Sequence, residues 1–481
     1  MRVRRVPISA IRKAKAAAII FAMIMLAPAG AAAFTVFGAD FISPGQVPDS
    51  NWTLFGETLN PRLDVDGDIR IQFNNYRLGA PAPPPSSGIA FLYSPPPPVI
   101  TGQTFGQFVP EADFEANLQL TATQRINVLF RPFEGGDREP TICEFAAPKK
   151  GCTFQEEAAP AALYYEGQPF NWLSPTDRLP LDFNVAVGRI PFVLQNGLFF
   201  ENIFDGFAIS KNNIQLGDLS NLNVIYFLTL GETQGGVNFR DEQQQRKKLM
   251  GGSVDFDWFD YFFEAEYARS YGNNPIPGDG ADLNRSFMAA SVTRNFGGEA
   301  GATLRALGNT GNATSGAGGL FAFEFNKLVG PAQGYVNVFG ATQNWLPLSV
   351  EGSALTREGI LFDFDRLANF PQLNPRGSNS IGGAIGAIFW PKAQTTYTPE
   401  IGWLIDNKPN NSNDQIGAAF EIQSDLASLL IPGDAPAELQ RRGLLYGTLA
   451  RLTFTGIQNM NRGVAGERFD YGERLELIYQ F

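Results

Sequence analysis

Histidine is missing from this sequence: none of its 481 residues is a histidine. Histidine is the commonest general base and a frequent metal ligand in proteins. Its absence excludes Ser-His-Asp and Cys-His catalysis, the usual zinc sites, and haem attachment through a Cys-x-x-Cys-His motif. Enzymes that use carboxylates alone stay possible, but the composition favours a protein that is not an enzyme and holds no metal or cofactor.

Cysteine is nearly as scarce, with Cys143 and Cys152 the only two. They lie nine residues apart in the stretch TICEFAAPKKGCTF, which has the composition of a loop. In an oxidising compartment such a pair is expected to form a disulfide that closes a short loop. The alternative interpretation is a redox or metal site.

Long apolar runs are also missing, apart from one near the start of the chain. Residues 1–15 carry six basic residues and no acid, residues 16–26 are apolar, and Ala31, Ala32 and Ala33 follow. This layout predicts a secretory signal peptide over residues 1–33, exported through the Sec pathway. Its removal takes the formal net charge from −11 to −17. Such an acidic protein is not expected to bind nucleic acid, because neutralising phosphates requires clustered Lys and Arg.

No further segment has the roughly 18 consecutive apolar residues that a membrane helix needs, so a membrane location would require a closed barrel. The stretch VDFDWFDYFFEAEYARS, residues 254–270, has the pattern of a barrel hairpin. Aromatic and aliphatic residues alternate with acids at period two on both sides of a turn at Phe259 and Asp260, as in two antiparallel strands. In a barrel, the apolar face would meet lipid and the acidic face would line the lumen.

Comparable segments of about ten residues recur along the whole chain and are separated by residues typical of turns and loops. They predict an all-β fold: a transmembrane antiparallel β-barrel of about 16 to 18 strands with long extracellular loops. Residues 34–481 would form this single domain. We expect a Pro-rich loop near residues 80–110 and a Cys-containing loop near residues 134–180.

The C-terminal stretch RFDYGERLELIYQF alternates up to an aromatic end, with Leu475, Leu477, Tyr479 and Phe481 on one face. It resembles the terminal strand of Gram-negative outer-membrane proteins. The resemblance implies that these four residues are read by the barrel-assembly machinery. It also implies a location in the outer membrane, in contact with its lipid.

A barrel of 16 to 18 strands encloses an aqueous channel, whereas a barrel of about eight strands is filled by its own side chains. The polar faces of the predicted strands are rich in acids, and some could form a ring that favours cations. The alternative is that these acids only keep the lumen wet. The predicted pore-lining residues are Asp113, Glu115, Asp255, Asp257, Glu264, Glu266, Glu400, Glu421, Arg131 and Arg305.

The stretch VAVGRIPFVLQNGLFFENIFDGFAIS, residues 185–210, breaks the alternation. A strand ends in Gly188-Arg189, an apolar excursion passes through Phe199-Phe200, and Phe204-Asp205-Gly206 begins the return strand. This resembles a pattern of the alginate-export and related porin-like barrels, and the resemblance implies that Arg189 points into the pore near a constriction. The alternative is an ordinary strand followed by a loop folded against the wall. The sequence does not decide whether Phe199-Phe200 or the Asp363-Asp365 segment folds into the pore.

These features together predict an outer-membrane porin-like channel for the passive diffusion of small hydrophilic solutes or ions, with a possible preference for cations. Two alternatives stay open. One is a dedicated exporter of a polysaccharide, as the alginate-export resemblance would imply. The other is a barrel that sheaths a partner protein.

Overall fold

The structure is a computed structural model of the 481-residue chain. It describes residues 34–37, 52–55, 57–77, 104–133, 141–146, 151–154, 159–170, 183–230, 248–271, 284–310, 316–345, 348–350, 355, 359–362, 370–373, 379–392, 394–407, 414–426, 448–460 and 469–480. The predicted signal peptide, the Pro-rich run 81–98, the Asp363-Asp365 segment and Phe481 lie outside these residues. Among the described residues, no helix has the length and apolar character that crossing a membrane requires.

The fold is a closed barrel of 18 antiparallel strands, which confirms the predicted all-β barrel. The strands, numbered in chain order, are β1 (Arg62–Arg77), β2 (Thr104–Gln119), β3 (Arg125–Phe130), β4 (Ala162–Gly167), β5 (Asn184–Leu194), β6 (Phe200–Leu216), β7 (Leu219–Thr229), β8 (Lys248–Trp258), β9 (Tyr261–Tyr271), β10 (Arg285–Phe296), β11 (Ala300–Asn309), β12 (Gly318–Val329), β13 (Ala332–Ala341), β14 (Ser380–Lys392), β15 (Thr395–Asp406), β16 (Gln415–Asp425), β17 (Thr448–Asn459) and β18 (Phe469–Gln480).

Each strand pairs with the next along the chain, and β18 pairs with β1 to close the barrel. The closing register runs from Tyr471 opposite Arg77 to Gln480 opposite Asp68. Because the first and last strands pair, neither is left as a free edge strand, and neighbouring strands satisfy one another's backbone hydrogen bonds along their paired stretches.

The hairpin formed by β8 and β9 shows why these residues form barrel strands. The two strands meet at the turn Phe259-Asp260, and Asp255 lies opposite Glu264 in the register. Trp258 is 44% exposed and Tyr267 is 51% exposed on the outer face, whereas Glu266, on the inner face, is only 6% exposed. The period-two pattern of this hairpin is therefore the alternation between the outer and inner faces of the wall.

The two expected long loops are shorter than the sequence suggested. Strand β2 already begins at Thr104, with Phe108 packed on Phe73 across the pair, 5.2 Å between ring centroids. Residues 109–113 of β2 lie between the stretch that pairs with β3 and the stretch that pairs with residues 143–146. Pro110 lies within this interval, where the described residues provide no strand partner on the side of β2 that faces β3. Proline is tolerated there because no neighbouring strand needs its missing N–H.

The segment near 134–180 is not one loop, because it contains strand β4 and a small hairpin. The hairpin strands Ile142–Ala146 and Gly151–Thr153 pair with each other, and Phe108 of β2 lies opposite Cys143. Cys143 and Cys152 are joined by a disulfide across this hairpin. Strands β3 and β4 have only six residues each and do not reach the N-terminal half of β2. The hairpin extends the wall there, beside residues 106–108.

Two chain segments fold into the barrel and build an apolar core against part of its inner wall. The first is the turn Gln195–Gly197 with Leu198 and Phe199, between β5 and β6. The second, which we call the inner segment, comprises the described residues of the connection 342–379 between β13 and β14. It meets the first where the N–H of Leu348 donates to the carbonyl of Phe199, and Ser349–Val350 then pairs in parallel with Phe200 and Glu201 of β6. The core comprises Ile190, Leu194, Leu198, Phe199, Phe200, Phe204, Ala208, Phe227, Leu249, Ala268, Phe287, Ala289, Leu307, Leu320, Ala322, Phe339, Trp345, Leu348, Leu355, Leu361, Phe362, Leu373, Ala384, Leu404, Ala419 and Ile457.

Candidate pore lining

A charged cluster surrounds Arg305 on the inner wall of β9 to β12. The Arg305 guanidinium donates to Glu324, with Nε 2.8 Å from Oε1, and lies 3.4 Å from Oε2 of Glu264. Its Nη1 also donates to the side-chain carbonyl of Gln195 at 2.9 Å, and the amide of Gln195 donates to Glu266 at 2.6 Å. Gln195 therefore links the first inward turn to both an acid and a base of the wall.

A second site lies around Glu400 of β15, where the inner segment is attached to the wall. The Glu400 carboxylate accepts hydrogen bonds from the backbone N–H groups of Ile360 at 2.9 Å and Leu361 at 2.7 Å, and from the hydroxyl of Tyr335 at 2.5 Å. Glu400 is only 2% exposed. The carboxylate thus holds the short 3-10 helix Ile360–Phe362 against the inside of the barrel.

A glycine permits this close contact. Gly359 has a φ of +154°, and a Cβ added there would lie 2.5 Å from Oε2 of Glu400 and 2.8 Å from the Cβ of Ala384. Any other residue at this position would push the chain away from the carboxylate. The local sequence Glu-Gly-Ile therefore suits a segment that approaches a buried acid with its backbone.

A third network of alternating charges runs across β16, β17, β18 and β1. Arg451 lies 3.8 Å from Glu421 and 3.4 Å from Glu476. Arg70 continues the network, 4.0 Å from Glu476 and 3.2 Å from Glu111 of β2. Since each arginine lies between two carboxylates, much of the positive charge on this wall is already compensated.

Two further arginines lie near this network. Arg131, just after β3, forms an ion pair with Asp113 at 3.1 Å. Arg474 of β18 donates to the side chain of Asn74 at 3.1 Å and lies over the ring of Phe370, 4.2 Å from its centroid. Phe370 belongs to the inner segment, so this segment extends from the Glu400 site across to β18.

The remaining predicted acids of the pore lie near the tight-turn end of the barrel. Asp255 accepts a hydrogen bond from Asn223 at 2.7 Å, and Asp257 accepts one from Asn221 at 2.6 Å. Glu115 of β2 lies opposite Asp66 of β1 in the register. The structure places all the predicted pore-lining residues on the inner face except Arg189.

Arg189 lies on the outer face, which differs from the expectation that it points into the pore. Its partners in the register are Leu163 of β4, which is 47% exposed, and Asp205 of β6. The next residue, Ile190, is the one buried in the inner core. Strand β5 turns its apolar face inward, because this face packs against the turn Gln195–Gly197. Arg189 alternates with these apolar residues and therefore faces outward.

The glycine before Arg189 has a backbone role in the structure. Gly188 has a φ of +131°, and a Cβ there would lie 2.4 Å from the backbone oxygen of Leu163 in the neighbouring strand. The Gly-Arg pattern is thus explained by close strand packing. The phenylalanines at positions 199 and 200 are buried inside the barrel, which answers the question that the sequence left open.

Several residues of the site were not predicted from the sequence. Arg70 could have been found, because it lies between Ile69 and Ile71 in an alternating strand and so shares the polar face. Glu111 has a similar position in β2, directly after the stretch 80–110 that the sequence predicts as a loop. Gln195 and Tyr335 carry no sequence signal, because their roles depend on contacts with residues 71, 110 and 65 positions away.

The terminal strand β18 places Leu475 and Leu477 opposite Phe73 and Ile71, on the outer face of the barrel. Tyr479 lies opposite Ile69 in the same row. The alternation of the last strand therefore continues the apolar outer surface across the seam between β18 and β1.

Carboxylates outnumber guanidinium groups on the described inner face. The arginines there include Arg62, Arg70, Arg125, Arg131, Arg305, Arg451 and Arg474, and these seven contact acids or amides. The acids include Asp66, Asp68, Glu111, Asp113, Glu115, Asp255, Asp257, Glu264, Glu266, Glu324, Glu400, Glu421 and Glu476. The inner wall is therefore acidic overall.

Comparison with solved structures assigns the barrel to a known fold. The BenF-like porin from Pseudomonas fluorescens Pf-5 aligns with a TM-score of 0.55 at 10% identity, over 87% of this chain and 98% of that one. OccK5 (OpdH) of Pseudomonas aeruginosa aligns with a TM-score of 0.51 at 11% identity, over 87% and 98%. OccK2 (OpdF) of the same organism, in complex with glucuronate, gives 0.51 at 11% identity over the same shares.

No known family model matches this sequence. No curated protein matches it either. At about 10% identity the similarity to the solved structures shows the fold alone. The chain therefore has the fold of outer-membrane porins.

Proposed function

We propose that the protein is an outer-membrane channel through which small hydrophilic solutes or ions diffuse passively, and that it prefers cations. The single observation that supports it most is a closed 18-stranded barrel whose inner face carries more carboxylates than guanidinium groups. A barrel of this size encloses an aqueous path, and rings of acids favour cations in such paths.

The preference would come mainly from the acid-rich hairpin of β8 and β9, where the described partners of Asp255 and Asp257 are asparagines and Glu264 shares Arg305 with Glu324. Asp255 and Glu264 are directly opposite in the register, and such neighbours have Cβ atoms only about 5 Å apart. The negative potentials of two carboxylates this close add together, and the combined potential attracts mobile cations from solution. The effect weakens as salt shortens the Debye length, which is about 10 Å at 0.1 M.

The similar OccK2 structure contains glucuronate, which is an anion at neutral pH. On this chain four inner arginines, Arg70, Arg131, Arg305 and Arg451, are already engaged by Glu421, Glu476, Glu111, Asp113 and Glu324. An anionic solute would have to displace those carboxylates. We therefore propose cations and neutral solutes, rather than sugar acids, as the species that this channel conducts best.

The experiment is a reversal-potential measurement in planar bilayers under a salt gradient. Replacing Asp255 and Asp257 by Asn, and Glu264 and Glu266 by Gln, should lower the cation preference at low salt and change conductance little at 1 M salt, where the Debye length is about 3 Å. Glu473→Gln is the matched control, because Glu473 is exposed on the outer face beside Asn75. A parent channel without cation preference would refute the selectivity and leave only a wet lumen.

Location and export belong to the same proposal. The N-terminal signal peptide, Sec export and insertion by the barrel-assembly machinery are supported by the sequence patterns at both ends of the chain. Recovery of the protein in the outer-membrane fraction, with different gel migration before and after boiling, is the expected result. The exporter alternative loses its main support because Arg189 lies on the outer face.

A further inference from the structure

We propose that Arg294, stacked between two aromatic rings on the outer face of the barrel, binds the phosphate group of a membrane phospholipid. The guanidinium carbon of Arg294 lies 4.9 Å from the ring centroid of Tyr261 and 5.0 Å from that of Phe296. Its Nε is buried and has no hydrogen-bond partner among the described residues. The inference rests on the proposed membrane location.

The position of Arg294 fits the level of lipid headgroups. It lies near the end of β10, three residues before the tight turn that contains Gly297 and Gly298. Trp258 lies opposite Tyr261 in the register, and Phe259 is 76% exposed in the adjacent turn. Aromatic residues are enriched where a barrel crosses the membrane–water interface. Farther from the tight turn, the outer face of β10 carries the apolar Met288.

The surrounding charge also favours an anion. Lys327 of β12 is exposed on the same outer face, opposite Ala300, which in turn lies opposite Phe296. Asp260 and Glu299 lie in the neighbouring turns, and no ion pair between either of them and Arg294 occurs in the part of the chain that the structure describes. Arg294 and Lys327 are therefore two basic residues on the outer face near neighbouring tight turns, separated by Phe296 and Ala300 in the register.

The chemistry of the side chain selects the ligand. A guanidinium has a planar set of donors that matches phosphate oxygens, and stacking on rings fixes its plane. The two rings cover the faces of the guanidinium and Nε is buried, so a ligand has to approach the edge formed by Nη1 and Nη2. A phosphodiester of a lipid in the leaflet on the tight-turn side can reach this edge while its acyl chains lie along the apolar surface of β10.

The experiment measures phospholipid bound to the purified full-length protein by native mass spectrometry in detergent, titrated with dioleoylphosphatidylglycerol. Arg294→Gln should weaken phospholipid binding about tenfold, whereas Tyr261→Leu, which keeps the charge but removes one ring, should weaken it about threefold. Arg269→Gln is the matched control, because Arg269 is exposed on the outer face of β9 at the opposite end of the barrel. It should bind lipid as the parent does.

Three results would overturn the proposal: unchanged binding by both Arg294→Gln and Tyr261→Leu, an equal loss in Arg269→Gln, or displacement of the lipid by millimolar inorganic phosphate. The last result would identify a site for free phosphate instead. If Arg294→Gln does not fold, Tyr261→Leu carries the comparison. A separate fractionation experiment tests the membrane location, so failure of that proposal is distinguishable from failure of this one.

Discussion

The attachment of the inner segment by Glu400 leads to a prediction whose size can be derived from the structure. The carboxylate accepts three hydrogen bonds, from two backbone N–H groups and the hydroxyl of Tyr335. Glu400→Gln keeps the shape of the side chain but turns one acceptor oxygen into a donor. At least one of the N–H groups of Ile360 and Leu361 then lacks an acceptor in a buried site.

Leaving a buried donor unsatisfied costs about 1–3 kcal/mol, and a hydrogen bond to a charged group contributes about 1.5–3 kcal/mol. We therefore expect Glu400→Gln to weaken the docking of the inner segment by about 2 kcal/mol, which is roughly a thirtyfold change in the ratio of docked to undocked states. The barrel itself should stay folded, because its strands are held by their own backbone hydrogen bonds.

The assay is single-channel recording at constant voltage. The Glu400→Gln channel should switch between the parent conductance and a larger one, as the segment leaves and returns to the wall. Glu421→Gln is the matched control, since Glu421 is on the inner face of the adjacent strand and accepts from the side chain of Thr453 rather than from the inner segment. A steady Glu400→Gln current equal to that of the parent would refute the attachment role.

Two further predictions concern assembly and stability. Deleting Phe481 should reduce the amount of heat-modifiable barrel in the outer membrane without reducing export, and insertion at the parent level would contradict the role assigned to the terminal strand. Replacing Cys143 and Cys152 by Ser removes a disulfide whose cysteines are nine residues apart, which by loop-closure entropy should destabilise the hairpin by about 2–3 kcal/mol. Faster proteolysis at this hairpin, with an intact barrel, is the expected result, and unchanged proteolysis would count against it.

The barrel could be predicted because its signal is repeated in every strand. In β8 and β9 the alternation of acids and aromatics follows directly from one wet face and one apolar face. The same logic places Arg70 inside from its neighbours alone. The ends of the strands are harder to predict, as Pro110 shows. Proline has no N–H to donate, so it is tolerated inside a strand only where the neighbouring edge has no strand that needs this hydrogen bond.

The inner segment could not be predicted, because no local pattern encodes it. Glu400 is separated from its donors by 39, 40 and 65 positions in the sequence. An acid on an inner strand face is equally compatible with water and with a backbone N–H as its partner. Only the folded arrangement shows that this carboxylate is buried and that Gly359 approaches it.

The orientation of Arg189 shows where the rule of apolar outside and polar inside fails. That rule holds only where the inner face of a wall meets water. Between β5 and β7 the inner face meets the inward turn, so Ile190, Phe204 and Phe227 face the interior as in the core of a soluble protein. The arginine between such residues is then forced to the outer face by the two-residue period. The residues two positions away do not decide the face by themselves, because Arg305 faces inward with apolar Leu307 two positions on, and Glu111 faces inward with Val109 two positions before. The packing of the strand decides instead: Ile190 and Leu194 of β5 pack on the inward turn, which leaves the alternate residues of β5, Arg189 among them, on the outer face.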